Sequence, residues 1–226
     1  MTMIHYLRSA GLAALALLAG LTVLVGCGEP QRSEAQRSEP ASARTDAVVE
    51  FAALFGSYSA DFDHLSTPAE LTARSALVVQ GKIARFDRGR TFGTSSADPV
   101  ARRTVVMVLS VDRVLHGTLP VASRGSVYVE LPAPGGLPLD AFQRTAPRSS
   151  DAVLYLRTAA TRADTALVDP DAGRPAGQPL YQPANPQGFV IEAGGKVVQI
   201  LEFTEFTGAR LRDFVPAAPR FPQGAR

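Results

Sequence analysis

The chain has 226 residues, 46% of them hydrophobic and 19% charged, a composition ordinary for a soluble globular domain. Its net charge is +2, its basic residues are scattered, and tryptophan is absent. This argues against the basic stripe interleaved with aromatics that nucleic-acid binders carry, and against a sugar-stacking platform. With one cysteine, Cys27, an intramolecular disulfide is impossible.

The first 27 residues carry the clearest signal. Arg8 supplies a positive start, Ala10–Val25 is an almost unbroken apolar run, and Leu24-Val25-Gly26-Cys27 closes it. This is the layout of a signal peptide. The apolar run falls short of the roughly 20 residues that span a bilayer. Its end resembles the bacterial lipoprotein lipobox. That resemblance implies acylation of Cys27, cleavage just before it, and firm attachment of the chain to a membrane by two or three acyl chains. Residues 1–26 are therefore expected to be a signal peptide. The mature chain would carry 22 basic residues against 21 acids, a net of +1, with arginine far ahead of lysine as in proteins from GC-rich genomes.

Residues 27–45 are expected to be the lipidated cysteine and a disordered tether. Glu29–Arg44 repeats Gln-Arg-Ser-Glu, mixes charges and has no large apolar side chain. Such a stretch cannot bury enough surface to offset its ordering entropy. Residues 46–215 are expected to form one β-rich domain, and 216–226 a flexible tail.

Within the domain, Asp46–Tyr58 is apolar but short, and its pattern fits either a helical turn or an edge strand. Thr67-Pro68-Ala69-Glu70 has the spacing of a capping box with proline at the first helical position, predicting a short helix to about Ser75. Ser75–Phe86 reads as a long first strand interrupted by Gly81, a place for a bulge or bend. A bent first strand is what small Greek-key barrels use to serve both halves of the barrel. Asp87–Arg102 reads as a polar loop. Thr104–Leu131 then holds two strand runs. In the first, Val105, Met107, Leu109 and Val111 alternate with Thr104, Val106, Val108, Ser110 and Asp112. In the second, Val127, Val129 and Leu131 alternate with Ser126, Tyr128 and Glu130. The alternation predicts one buried face.

Pro132–Ser150 is a Pro- and Gly-dense loop with a turn of helix at Leu139–Arg144. Asp151–Thr158 is a strand, and Ala159–Pro186 a long polar loop. Gly188–Phe203 forms a hairpin turning at Gly194-Gly195, a pair suited to the primed turns of hairpins. Thr204–Val215 is expected to close the domain as a short helix with Phe206, Leu211 and Phe214 inward. The fold class expected is mainly β: a small OB-like Greek-key barrel of five to six strands with one or two short helices.

The order of pieces resembles that of uncharacterised secreted bacterial lipoproteins with an OB-like domain. The matching stretches are Leu77-Val78-Val79-Gln80-Gly81-Lys82-Ile83, Val111-Asp112-Arg113-Val114-Leu115-His116-Gly117, Leu154-Tyr155-Leu156, and Gly188-Phe189-Val190-Ile191 with Gly194-Gly195-Lys196-Val197. The arrangement is also similar to the netrin-like modules of metalloprotease inhibitors, which implies an OB-type barrel over residues 67–203. The chain lacks those inhibitors' N-terminal cysteine with a free amine and their disulfides, so protease inhibition is not implied.

Candidate chemistry is sparse. Asp61, Asp63 and His64 have metal-ligand chemistry, but alternating acids before a capped helix are ordinarily a solvated turn. The mature chain offers only His64 and His116 for a site needing three or four ligands. Asp169-Pro170-Asp171-Ala172-Gly173 is like the start of a calcium loop without the later ligands. His116 precedes Gly117 at a strand end, where a turn explains it. Gly125-Ser126 lacks the second glycine of a nucleophile elbow. Glu130, Glu192 and Glu202 form no recognisable pair, and Gly194-Gly195 joins strands rather than cradling phosphate.

The expectation is thus no catalytic, cofactor or metal residues, with lipidation at Cys27. The chain would be a lipid-anchored, extracytoplasmic binding or interaction module of a cell membrane or outer membrane. It would engage an envelope protein or small molecule, but not nucleic acid, through loops 87–102, 132–150 and 159–187. The alternatives are an envelope hydrolase or metal-dependent enzyme whose residues converge only in space, and a purely structural surface lipoprotein. Three or more of Asp61, Asp63, His64, His116, Asp169 and Asp171 meeting in one pocket would favour the enzyme.

Overall fold

The computed structural model describes residues 41–95, 101–160 and 166–217, all within one compact unit. The stretch expected as a signal peptide, Cys27 and most of the expected tail lie outside the described residues. The first described element is α1, Ala41–Ala53, so the last residues assigned to the tether are helical. Val48, Phe51, Ala52 and Phe55 recur at the spacing of one helical face, and all four are buried. This decides Asp46–Tyr58 in favour of helix. α2, Pro68–Ala73, starts on the expected capping box: the Glu70 amide donates to the Thr67 hydroxyl, and the Glu70 carboxylate accepts from the Thr67 amide.

Nine strands follow: β1 Leu77–Phe92, β2 Arg102–His116, β3 Ser126–Pro132, β4 Asp151–Thr158, β5 Leu167–Val168, β6 Leu180–Pro183, β7 Phe189–Ala193, β8 Lys196–Gln199 and β9 Thr204–Thr207. A third helix, α3 Leu139–Thr145, sits between β3 and β4 where a helical turn is expected. The fold is mainly β, as expected, but has nine strands rather than five or six, and three helices among the described residues.

The sheet order is β5-β1-β2-β3-β6-β4-β7-β8-β9, and β4 also pairs with β1. Following neighbours from β1 through β2, β3, β6 and β4 therefore leads back to β1. The β3–β6 pair is parallel and the other pairs are antiparallel. β1 is long enough to pair with β2 along most of its length, with β4 over Leu77–Lys82 and with β5 at Thr91–Phe92, and it is bent. Its register against β2 shifts at Gln80/Gly81, Ile83/Arg85 and Arg88/Thr91. Gly81 allows the first of these. A Cβ there would meet the Ser110 backbone, 3.0 Å from its carbonyl carbon and closer still to its oxygen. The bend at Gly81 matches the sequence reading.

Other boundaries differ. β1 runs to Phe92, through the first six residues of the stretch expected as loop, because the polar residues there pair with β2 and with β5. The stretch 159–186 holds β5 and β6, strands of two and four residues that only distant partners define. Thr204–Val215 is not one helix: β9 extends the sheet, and a single 3-10 turn at Leu211–Phe214 follows.

The main core lies between α1, α3 and the inner faces of β1–β4 and β7. It centres on Phe51, Phe55, Phe86, Phe142 and Phe189, with the Phe51 ring 5.5 Å from Phe55 and 5.7 Å from Phe86. Val105, Met107 and Leu109 face it, as the alternation requires. Their alternates Val106 and Val108 are buried too, against Tyr128 and Leu180. The expectation of a single buried face fails because the β5–β6 connection crosses the outside of β2. At Gly173 (φ +79°) it comes so near that a Cβ would lie 2.9 Å from the Arg88 carbonyl oxygen. A further cluster, Leu71, Val78, Val153, Tyr155, Val190, Val197 and Leu211, fills the outer face of β4, β7 and β8.

Candidate functional site

A cleft of about 650 Å³ opens at one end of the sheet. It is walled by the end of β1, the start of β2, the end of β3, the end of β4 and β6, together with the segment between α1 and α2. That segment is tied down by buried amides. The Leu65 amide donates to Gln187 Oε1 at 2.7 Å, and Asn185 Nδ2 donates to the Asp63 carbonyl at 2.9 Å. Arg74, at the end of α2, reaches Asp63 at 3.2 Å.

One wall is an ion pair between strands that are not neighbours. Arg90 of β1 and Glu130 of β3 meet across β2, with side chains 5% and 6% exposed. Arg90 Nε donates to Glu130 Oε1 at 2.8 Å, and Nη2 donates to Oε2, a two-pronged match of guanidinium to carboxylate. The Thr104 hydroxyl lies 2.9 Å from both Glu130 Oε1 and the Arg90 carbonyl, either of which can take its proton. Charges this buried persist only when paired and hydrogen-bonded.

In front of this pair stand exposed guanidinium groups. Arg102 lies 5.5 Å from the centroid of the Phe92 ring, which Arg90 also approaches, at 5.2 Å. Arg103 lines the cleft beside it. Arg157 faces Gln182 across the β4–β6 pair. With its amide oxygen turned toward the arginine, Gln182 accepts from Nε at 2.8 Å and Nη2 at 2.9 Å. Tyr58, also in the wall, has its hydroxyl pKa pushed up by burial, while the Arg157 charge pulls the other way.

Only Asp61 and Asp63 of the six candidate ligands line this cleft. His64 sits 3.0 Å from Gln187 Nε2 through its own Nε2. His116 is at the far end of β2, opposite Val78. Asp169 borders a second cavity, of about 450 Å³, and Asp171 pairs with Arg174 at 3.1 Å. Among the described residues no three His, Cys, Asp or Glu side chains are grouped to hold a metal. Of the other acids, Glu130 is the buried partner of Arg90, and Glu192 accepts from the Leu211 amide at 2.8 Å. Glu202 holds one carboxylate oxygen buried without a described partner. Burial raises its pKa, and nearby His64 opposes that shift.

Each expected contact loop reaches the cleft in part: 87–102 through Phe92 and Arg102, 132–150 through Pro132, and 159–187 through Gln182–Pro186, beside the 58–63 segment. Residues 87–92 of the first are strand, Phe142 of the second is buried in the core, and Gly173 of the third lies against Val106 of β2. Sequence reasoning missed Arg90, Arg102 and Arg157 as a group, because nothing local links positions so far apart. The arginine excess was the signal, and it resembles compositional bias.

No known protein family, curated protein or solved structure matches this chain. What the arrangement can do follows from its chemistry. Guanidinium groups beside aromatic rings offer directional donors and positive charge.

Proposed function

We propose that this chain is a lipid-anchored, extracytoplasmic binding module of the bacterial cell envelope, non-enzymatic, taking its ligand in the arginine-lined cleft. The observation that carries this reading is the cleft itself: about 650 Å³, within the size range of small-molecule sites, with convergent polar groups on a rigid sheet. The return of the strand pairings to β1 and the parallel β3–β6 pair support an OB-like barrel as its scaffold. The apolar run ending at Cys27 supports the anchor. The cleft also speaks against a purely structural role.

Two measurements test the reading. Labelled palmitate should enter the wild-type chain and not Cys27→Ala, and equal labelling of both would remove the anchor. A photo-crosslinking residue at Phe62, on the cleft wall, should capture a discrete adduct in intact cells. The same residue at Val121, 96% exposed beyond the other end of β2, should not. Identical patterns at both positions would remove the cleft as the binding site.

A further inference from the structure

The cleft opens where a strand ladder stops early, and two prolines account for the stop. β3 and β6 pair in parallel at Tyr128↔Leu180 and Val129↔Tyr181 and no further, although both strands continue. The Ala133 amide donates to the Arg103 carbonyl at 3.2 Å, so Leu131 and Ala133 turn their backbone groups toward β2. By the same alternation Glu130 and Pro132 turn theirs toward β6. Across the gap, the Ala159 amide donates to the Leu180 carbonyl and the Ala184 amide to the Tyr155 carbonyl, each at 2.8 Å. Leu180, Gln182 and Ala184 thus face β4, and Pro183 faces β3. The next rung needs an amide hydrogen from residue 183 for the Glu130 carbonyl. The one after needs an amide hydrogen from residue 132 for the Pro183 carbonyl. Both positions are proline, which has none. Two successive rungs are lost, and Glu130, Pro132 and Pro183 all line the cleft at that point. The Glu130 and Pro183 carbonyls are left without a ladder donor, and backbone carbonyls demand one. Arg157, opposite Gln182 in β4, stands at the same gap. Gln182 engages its Nε and Nη2, which fixes the guanidinium plane and leaves Nη1 to donate.

Resting on the reading of this cleft as a binding site, we infer that its ligand is an extended acidic peptide segment of a partner protein, laid into the gap between β3 and β6. The peptide's amides donate to the Glu130 and Pro183 carbonyls, and a carboxylate on it reaches Arg157. An extended chain turns successive amides to opposite sides, so neighbouring residues of one peptide serve both strands. Strand addition of this kind draws affinity from main-chain hydrogen bonds and specificity from side-chain contacts. Here the side-chain contacts are the Arg157 guanidinium, ordered before the peptide arrives, and an aromatic wall of Tyr58 and the exposed Phe62.

The test uses the full chain in a neutral detergent at low salt. It is titrated with acetylated, amidated pentapeptide pools that carry glutamate or glutamine at the centre and mixed Ala, Val, Ser and Thr elsewhere. A further glutamate pool has its backbone amides N-methylated. The glutamate pool should bind saturably, and N-methylation should weaken it about tenfold or more by removing the main-chain donors. Arg157→Gln should weaken the glutamate pool about tenfold and leave the glutamine pool unchanged, a split that misfolding would not produce. Pro183→Ala supplies the amide hydrogen of the missing rung, so it should weaken both pools without lowering the unfolding midpoint. Binding that ignores N-methylation, Arg157→Gln or Pro183→Ala overturns the inference, as does no binding by any pool. If no pool binds while a crosslinker at Phe62 still captures a discrete adduct in cells, the cleft stands and its peptide ligand falls. If the crosslinker also captures nothing, both fall.

Discussion

Arg90→Met will strand Glu130. The carboxylate, 6% exposed, then keeps only the Thr104 hydroxyl, and it loses the two charge-assisted hydrogen bonds from Arg90. At about 1.5–3 kcal/mol for each such bond, the loss is roughly 3–6 kcal/mol. Breaking buried pairs elsewhere costs about 3–5 kcal/mol, in agreement. Replacing both partners, as Arg90→Met with Glu130→Leu, removes the stranded charge together with its partner. The double variant should recover most of the loss, ending within about 1–2 kcal/mol of wild type. The chain lacks tryptophan, so urea unfolding is followed by far-UV circular dichroism, with the slope checked for constancy. If Arg90→Met costs less than about 1 kcal/mol, or if the double variant loses the sum of the two singles, the pair is not the coupled unit described here.

Three other outcomes follow from packing and titration. Phe51→Ala removes the ring that touches Phe55, Phe86 and Phe189, and should cost about 3–5 kcal/mol in the same unfolding assay. Gly81→Ala drives a Cβ into the Ser110 carbonyl, so it should cost at least about 2 kcal/mol and broaden the amide signals along β1 and β2. Glu202 has a raised pKa in the folded state, so folding binds its proton and stability falls as pH rises through and above the ordinary carboxylate range. Glu202→Gln should therefore stabilise the chain at neutral pH. The advantage should vanish below the unfolded-state pKa of a glutamate, and the same gain at both ends of a pH series of melting curves would contradict the assignment.

Where structure follows from neighbours in the chain, the sequence could be read directly. The Thr67–Glu70 capping box, the helical turn at Leu139 and the Gly194-Gly195 hairpin each depend on a few adjacent residues, and each is present. α1 was only half legible: Val48, Phe51, Ala52 and Phe55 lie on one helical face, yet the short run fitted an edge strand as well. Val49 and Ala53 blur that period in so short a run. β5 and β6 were not legible, because strands of two and four residues have no pattern of their own and exist through their partners. The polar end of β1 was hidden for a related reason. Arg90 is acceptable inside a strand only because Glu130 waits two strands away, and that pairing is invisible along the chain. The cleft shares this difficulty, since Arg74, Arg102, Arg157 and Gln182 meet only after the sheet has formed.

The position of the cleft follows from how the strands are joined. β1 and β2 pair along almost their whole length, and β2 pairs with all of β3. β6 pairs over only two residues with β3 and three with β4. It ends in Pro183, which has no amide hydrogen to offer a ladder. The ladders beside β6 are thus short, and Gln182, Pro183 and Arg157 wall the cleft at that seam. A long, bent β1 supplies the rigid side, where Arg90 and Glu130 bolt β1 to β3. The thin side leaves room for side chains to stand apart rather than interlock. Arg102 and Arg157 stand in that room, each held by a neutral group, the Phe92 ring and the Gln182 amide oxygen.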